Sequence, residues 1–168
     1  MAMIIAVISM ACLSSCTPEP DGAEETRNVF DSVNLRLSSD LSKDFFESFD
    51  VVAIVKFDGE ELMNEVVSDS IWSYEFKLTD IKVSSISCEM VAKPKKELPE
   101  YDANKVYTMS HDAFGILKVI KKGVELNPMF NGMINYDSKS VKGDKAKDFV
   151  TKRESINLMS ISYDLSDY

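Results

Sequence analysis

Alternation of apolar and polar residues dominates the chain from about residue 28 onward. Such runs predict half-buried β-strands, because successive side chains of a strand point to opposite faces of a sheet. The clearest run spans residues 71–79, where Trp72, Tyr74, Phe76 and Leu78 share one face. The other predicted strands cover residues 33–37, 51–57, 62–67, 83–92, 106–112 with its continuation at 116–120, 124–126 and 156–165.

Two short stretches between these runs have helical rather than strand spacing. Asp40 and Asp144 each precede one of them and are predicted to be their N-caps, since a carboxylate there accepts hydrogen bonds from free backbone N–H groups. The predicted inward faces are Leu41, Phe45 and Phe49 in the first stretch, and Ala146, Phe149 and Val150 in the second.

These elements predict a mainly β protein: a single antiparallel β-sandwich of seven to eight strands with one or two short helices. Asp58-Gly59 predicts a tight hairpin, because this dipeptide tolerates positive φ at both turn positions. Gly115 is expected to mark a bulge or kink between two strand segments. Residues 94–104 are predicted to form a loop, and residues 127–143 have no clear pattern.

The start of the chain has a different pattern. Residues 1–12 are apolar and uncharged, and Leu13-Ser14-Ser15-Cys16 follows directly. This order resembles the lipobox of bacterial lipoprotein precursors, which implies cleavage between Ser15 and Cys16 and attachment of lipid to Cys16. The apolar run is shorter than the roughly 20 residues of a membrane-spanning helix but suits a signal peptide. Because no Lys or Arg precedes it, we expect the true start codon to lie upstream of Met1.

The alternative to a signal peptide is a buried N-terminal strand. The residues that follow argue against it, because they are acidic, contain two prolines and cannot bury apolar surface. The expected organisation is therefore a signal peptide over residues 1–15, a lipidated flexible tether over 16–27 and the β-sandwich domain over 28–168.

From Arg27 to Asp167 the order of elements resembles that of small envelope lipoproteins with one immunoglobulin-like or transthyretin-like sandwich. The resemblance implies a lipid-anchored protein at the bacterial outer membrane or cell surface, held by more than one acyl chain. The proteins of that group are mostly of unknown function, so the resemblance implies no active site.

Charge and cysteine content narrow the possible partners. The formal net charge is −9, and none of it belongs to residues 1–15, so the mature chain should be repelled by nucleic acid and by anionic lipid surfaces.

Of the three cysteines, Cys12 is expected to be removed and Cys16 to carry the lipid. Cys88 then has no partner for an intramolecular disulfide.

Catalytic and metal-binding motifs are weak in this sequence. His111 is the single histidine, which is too few for a typical zinc site, and we expect neither a metal nor a cofactor. A nucleophilic dyad of Cys88 and His111 competes with a buried Cys88, which the apolar residues on its face favour. A calcium site at Asp137, Asp144 and Asp148 lacks the loop pattern of such sites, so surface charge explains these residues better.

Trp72 and Tyr74 are the candidate binding residues. If their row faces the second sheet, they are core residues, which is the favoured interpretation because large aromatics usually fill a sheet interior. If the register shifts by one residue, the row faces outward and would offer a platform for a carbohydrate or protein. The favoured function is a membrane-anchored, non-enzymatic binding or structural sandwich with an unknown protein or glycan partner. The alternatives are a small glycan- or peptidoglycan-acting hydrolase and a pilin-like assembling subunit.

Overall fold

The computed structural model describes residues 29–126 and 133–167, and the signal peptide and tether expected from the sequence lie outside these ranges. The described residues form nine strands and two short helices. In chain order they are β1 (Val29–Leu41), α1 (Lys43–Ser48), β2 (Phe49–Phe57), β3 (Glu60–Val66), β4 (Ile71–Lys82), β5 (Ser85–Pro94), β6 (Val106–Lys121), β7 (Val124–Leu126), β8 (Met133–Lys142), α2 (Gly143–Thr151) and β9 (Ile156–Asp164).

The strands build two antiparallel sheets, as the sequence predicts. The first sheet has the order β4-β1-β6, and both β7 and β8 pair with the far side of β6 at different heights. The second sheet has the order β3-β2-β5-β9. All pairs are antiparallel, and the two apolar faces meet to form the core of a β-sandwich.

The alternation of residues in β5 shows how the sequence builds this core. Ile86, Cys88, Met90 and Ala92 are fully buried, whereas the residues between them are half-exposed on the outer face. β1, β2 and β9 also turn apolar rows inward. Each such row removes apolar surface from water, which is the main driving force for packing the two sheets together.

Gly115 allows the two sheets to approach each other closely. The pairing of β6 with β1 and with β8 keeps one register on both sides of Gly115. The bulge expected at this position is therefore absent. A Cβ at residue 115 would lie 2.9 Å from Ile161 Cδ1 and 3.0 Å from Met159 Sδ. The glycine therefore makes room for the second sheet rather than bending the strand.

The Asp58-Gly59 hairpin forms as predicted, with φ values of 51° and 84° at its two turn residues. These left-handed values belong to the tight turn that joins β2 and β3. The carboxylate of Asp58 also accepts hydrogen bonds from the backbone N–H groups of Ser84 and Ser85, at 2.8 and 2.7 Å. Asp58 thus ties the β2–β3 hairpin to the start of β5.

Both predicted helix caps are wrong. Asp40 belongs to β1, and Ser42 caps α1 by accepting a 3.3 Å hydrogen bond from the Phe45 N–H. α2 begins at Gly143 after Lys142, which makes no side-chain cap, so Asp144 lies inside the first turn. The expected inward residues are otherwise placed as predicted: Leu41, Phe45, Phe49, Ala146 and Val150 are buried, and Phe149 is half-buried.

Two strands differ from the sequence expectation. β8 lies in the stretch without a clear pattern and raises the strand number to nine in the described residues. β4 has the predicted register, but it lies at the edge of the first sheet, so the row expected to be core is less completely covered. Trp72, Tyr74, Phe76 and Leu78 consequently face inward but are only half-buried.

Candidate functional site

The inward row of β4 contains the candidate binding residues. The rings of Trp72 and Tyr74 stack with their centroids 6.1 Å apart and an interplanar angle of 12°. Phe76 continues the row and packs against Phe57 of the second sheet at 5.9 Å. The inward orientation favoured from the sequence is confirmed, whereas a binding role for Trp72 and Tyr74 stays a prediction.

The outward face of the same sheet has an open depression beside Trp72, with a volume of about 380 Å³. Its floor is β1, where Ser38 and Asp40 point outward between the two neighbouring strands. Ile71 and Ser73 of β4 line one side, and Asp112 and Phe114 of β6 line the other. Polar and apolar side chains therefore alternate within one shallow surface feature.

A second depression of about 260 Å³ continues the first one along β1. Arg36 lines both depressions, so the two meet end to end. We call them together the outer groove. Its floor comprises Asn34, Arg36, Ser38 and Asp40 of β1, and its sides are Ile71, Ser73 and Glu75 of β4 and Asp112, Phe114, Ile116 and Lys118 of β6.

Each depression contains a polar atom that no partner satisfies. Oδ1 of Asp112 in the first and Oδ1 of Asn34 in the second are both shielded from solvent and make no hydrogen bond. Buried acceptors in folded proteins are normally paired, because leaving one unpaired costs about 1–3 kcal/mol. Two side chains that line the outer groove thus each hold an acceptor that no group in the described residues satisfies.

The outer groove was not recognised in the sequence because three distant segments build it. β1, β4 and β6 supply its residues, and only their pairing brings Asp40 opposite both Ile71 and Asp112. One sequence feature does point toward it: Phe114 and Ile116 fall on the outward face of their strand, where polar residues are the rule in a two-sheet sandwich.

Cys88 and His111 do not form an activated pair. Cys88 faces the core from β5, and burial raises the pKa of its thiol to about 12. A nucleophilic cysteine requires the opposite shift, since the thiolate is the reactive form. His111 faces the core from β6, in the other sheet, with its ring centroid 5.5 Å from that of Phe45.

His111 predicts a specific dependence of stability on pH. Burial lowers its pKa below the ordinary value of 6.5, and Lys139 adds to this effect, whereas Asp137 and Asp112 oppose it. Well above pH 6.5 the ring is neutral in both the folded and the unfolded state. Below that pH the unfolded chain takes up a proton that the folded domain resists, so stability falls as the pH drops toward the folded-state pKa.

We therefore expect His111→Leu to reduce the loss of unfolding free energy between pH 7.5 and pH 5.5. The difference from wild type can reach about 1.4 kcal/mol per pH unit at most. Urea titrations of both proteins at the two pH values measure it, and the carboxylates common to both cancel. Equal losses in the two proteins would contradict a buried, neutral His111.

The three aspartates considered for calcium do not meet at one site. Asp137 pairs with Lys139 at 3.4 Å, and Asp148 pairs with Lys152 at 2.7 Å, which lowers the pKa of the Asp148 carboxyl. Within residues 29–126 and 133–167, His, Cys, Asp and Glu form no group of three or more that could hold a metal ion. No helix in the same ranges is long and apolar enough to cross a membrane.

The lipid-attachment residue Cys16 and the cleavage position at Ser15 lie outside the described residues, so their roles stay predictions from the sequence. Comparisons of the chain with models of protein families, with curated proteins and with solved structures each find no match. The arguments for function consequently rest on the residues of this chain.

Proposed function

We propose that this chain is a lipid-anchored lipoprotein of the bacterial envelope or cell surface, whose sandwich domain acts by non-enzymatic binding. The outer groove is the observation that supports a binding role. It is open, shallow and lined by Arg36, Asp40 and Phe114, which together offer charge, hydrogen bonding and apolar contact. Binding surfaces combine these three kinds of contact, with polar groups that fix orientation.

The position of the outer groove suits a tethered domain. It lies on the outward face of the first sheet, away from the core, so a ligand could occupy it without opening the sandwich. The lipid on Cys16 would hold the domain at a membrane, and a flexible tether over residues 16–27 would let the outer groove face its ligand in different orientations.

The anchor is tested with two cysteine variants of the complete precursor. We expect Cys16→Ala to move the protein from the membrane fraction to the soluble fraction and to abolish incorporation of an alkyne-labelled fatty acid. Cys12→Ala is the matched control, because the same substitution four residues earlier leaves the acceptor cysteine in place and should preserve both properties. Membrane recovery and labelling of Cys16→Ala equal to wild type would refute the anchor.

A glycan-acting hydrolase is the second candidate, and one observation favours it. Asp40 and Asp112 occupy directly opposed positions on β1 and β6, and both line the outer groove. Glycoside hydrolysis generally uses such a pair of carboxylates on either side of the scissile bond. A reducing-end assay on a polysaccharide separates the two candidates. Release of reducing ends by wild type that is lost in Asp112→Ala would show hydrolysis, whereas the binding proposal expects no release.

A pilin-like subunit is less well supported. Strand donation between copies needs a sheet with a vacant position or an accessible edge. Within the described residues each strand is hydrogen-bonded to its neighbours in the sheet, which leaves only the edges for a donated strand. The long edge strand β4 carries Lys77 and Glu75 outward, and charged residues on an edge oppose pairing with another chain.

A further inference from the structure

We propose that the outer groove binds a linear, uncharged glycan chain. This inference rests on the proposed binding function and adds the chemical class of the ligand. The outer groove combines hydrogen-bond acceptors, hydroxyl groups and apolar side chains from β1, β4 and β6. A sugar ring has hydroxyl groups around its edge and apolar C–H faces, so it requires both kinds of contact at each step.

The hydrogen-bonding groups favour a ligand rich in O–H donors. Asp112 and Asn34 line the outer groove, each holds one buried acceptor without a partner, and a hydroxyl can donate to the carboxylate of one and the amide oxygen of the other once that oxygen turns toward the outer groove. Either oxygen of the Asp112 carboxylate can accept, and a half-turn of Asn34 about its soft χ2 angle exchanges the buried Oδ1 with the amide nitrogen. Ser38 and Ser73 face each other across β1 and β4, between Asn34 and Asp112 along the outer groove. Their hydroxyl groups can both donate and accept hydrogen bonds.

Apolar side chains are interleaved with these polar groups. Phe114 and Ile116 lie on the β6 side of the outer groove, and Ile71 on the β4 side is 74% exposed. Tyr136 of β8 lies directly across from Asp112 and is 66% exposed, which extends the row with a second aromatic ring. Exposed rings beside hydrogen-bonding groups provide faces against which a sugar ring can pack.

The charge pattern favours an uncharged ligand. Asp40 and Asp112 lie at one end of the outer groove, and Arg36, Glu75 and Lys118 lie toward the other, where the two basic residues outnumber the acidic one. A polyanion would meet two carboxylates at the first end, and the net charge of −9 adds to the repulsion. A polycation would meet the two basic residues instead. A neutral chain can use both ends as hydrogen-bonding groups.

The length of the outer groove favours a chain over a single sugar. Its floor runs from Asn34 to Asp40 along β1, which spans roughly 20 Å at the usual rise of a strand. A protein partner would instead be expected to need a larger continuous apolar centre.

The proposal is tested by native affinity electrophoresis of the full-length chain in mild detergent. The gels contain a neutral polysaccharide (galactomannan, xyloglucan or pullulan) or the polyanion polygalacturonate. We expect retardation by at least one neutral polysaccharide and none by polygalacturonate. Asp112→Ala and Asn34→Ala should weaken the retarding interaction roughly tenfold each, the effect of losing one good hydrogen bond.

Glu89→Ala is the matched control for Asp112→Ala, because it removes the same charge from a half-buried position on the outer face of the second sheet. It should leave retardation unchanged. A separate readout excludes a structural role: Asp112→Ala removes an unpaired acceptor, so its urea midpoint should equal or exceed that of wild type.

Three results would overturn the proposal. They are retardation by polygalacturonate alone, no retardation by any of these polysaccharides, and retardation that survives both outer-groove variants. None of these results would alter the membrane recovery of wild type and Cys16→Ala. Failure of the glycan proposal is thus distinguishable from failure of the lipid anchor.

Discussion

Phe49→Ala is expected to lower the unfolding free energy by about 3–5 kcal/mol. Phe49 is fully buried where α1 ends and β2 begins, and its ring stacks on Phe45 with centroids 4.6 Å apart. Truncation removes these contacts and leaves a cavity where the helix meets the sandwich. The total stability of a domain is only about 5–15 kcal/mol, so the variant should be close to unfolding.

Phe46→Ala provides the matched control for this prediction. Phe46 lies in α1 three residues earlier and is only half-buried: it packs at the margin of the core, with the Lys95 ammonium 4.9 Å from its ring centroid. The same substitution there should cost about 1 kcal/mol, typical of a less buried site. Urea unfolding of both variants measures the difference. Equal costs at the two positions would show that Phe49 does not anchor α1 in the core.

Gly143→Ala is expected to cost about 3 kcal/mol, at the upper end of the range for overpacked positions. A Cβ at Gly143 would lie 1.8 Å from the carbonyl oxygen of Asp102, which is backbone and cannot rotate away. The loop before β6 or the start of α2 must therefore move. That movement would also break the 2.9 Å hydrogen bond from the Gly143 N–H to the Lys105 carbonyl.

Gly59→Ala separates this steric effect from the conformational preference of glycine. Gly59 has a φ of 84° but no neighbouring atom within 4 Å of the added Cβ, so the variant should lose only about 1 kcal/mol from left-handed strain. Thermal or urea melts compare the two variants. A smaller loss for Gly143→Ala than for Gly59→Ala would contradict the close packing between α2 and the loop.

The sequence predicted the parts of the fold that depend on local pattern. The residues Ile86, Cys88, Met90 and Ala92 were assigned to one face from their spacing alone, and all four are fully buried. The hairpin at Asp58-Gly59 likewise follows from the preference of that dipeptide for positive φ. Both features require only neighbouring residues, so one sequence contains enough information to place them.

Features that depend on strand order could not be predicted in this way. β4 has the most regular alternation in the chain. An edge strand and a central strand with one exposed face both alternate in this way, so the pattern does not tell where in the sheet a strand lies. β8 is rich in polar residues because it borders the sheet, and it was not recognised. Asp40 has the properties of a helix cap, but its pairing with Ile71 and Asp112 keeps it in β1.

The candidate site was the least predictable part. Trp72 and Tyr74 attract attention in the sequence because they are large, but they turn toward the core. The outer groove combines common residue types such as Ser38 and Arg36 with Phe114 from a strand more than 70 positions away. Only the pairing of β1 with β4 and β6 brings them together, and no local pattern encodes that pairing.

The anchored state is tested most directly by the mass of the protein extracted from membranes with detergent. The account predicts a chain that begins at Cys16, lacks residues 1–15 and is heavier than its sequence by the mass of the attached acyl groups. Fragmentation should place that additional mass on Cys16. A chain that retains residues 1–15, or a Cys16 with a free thiol in the membrane-bound protein, would contradict the account.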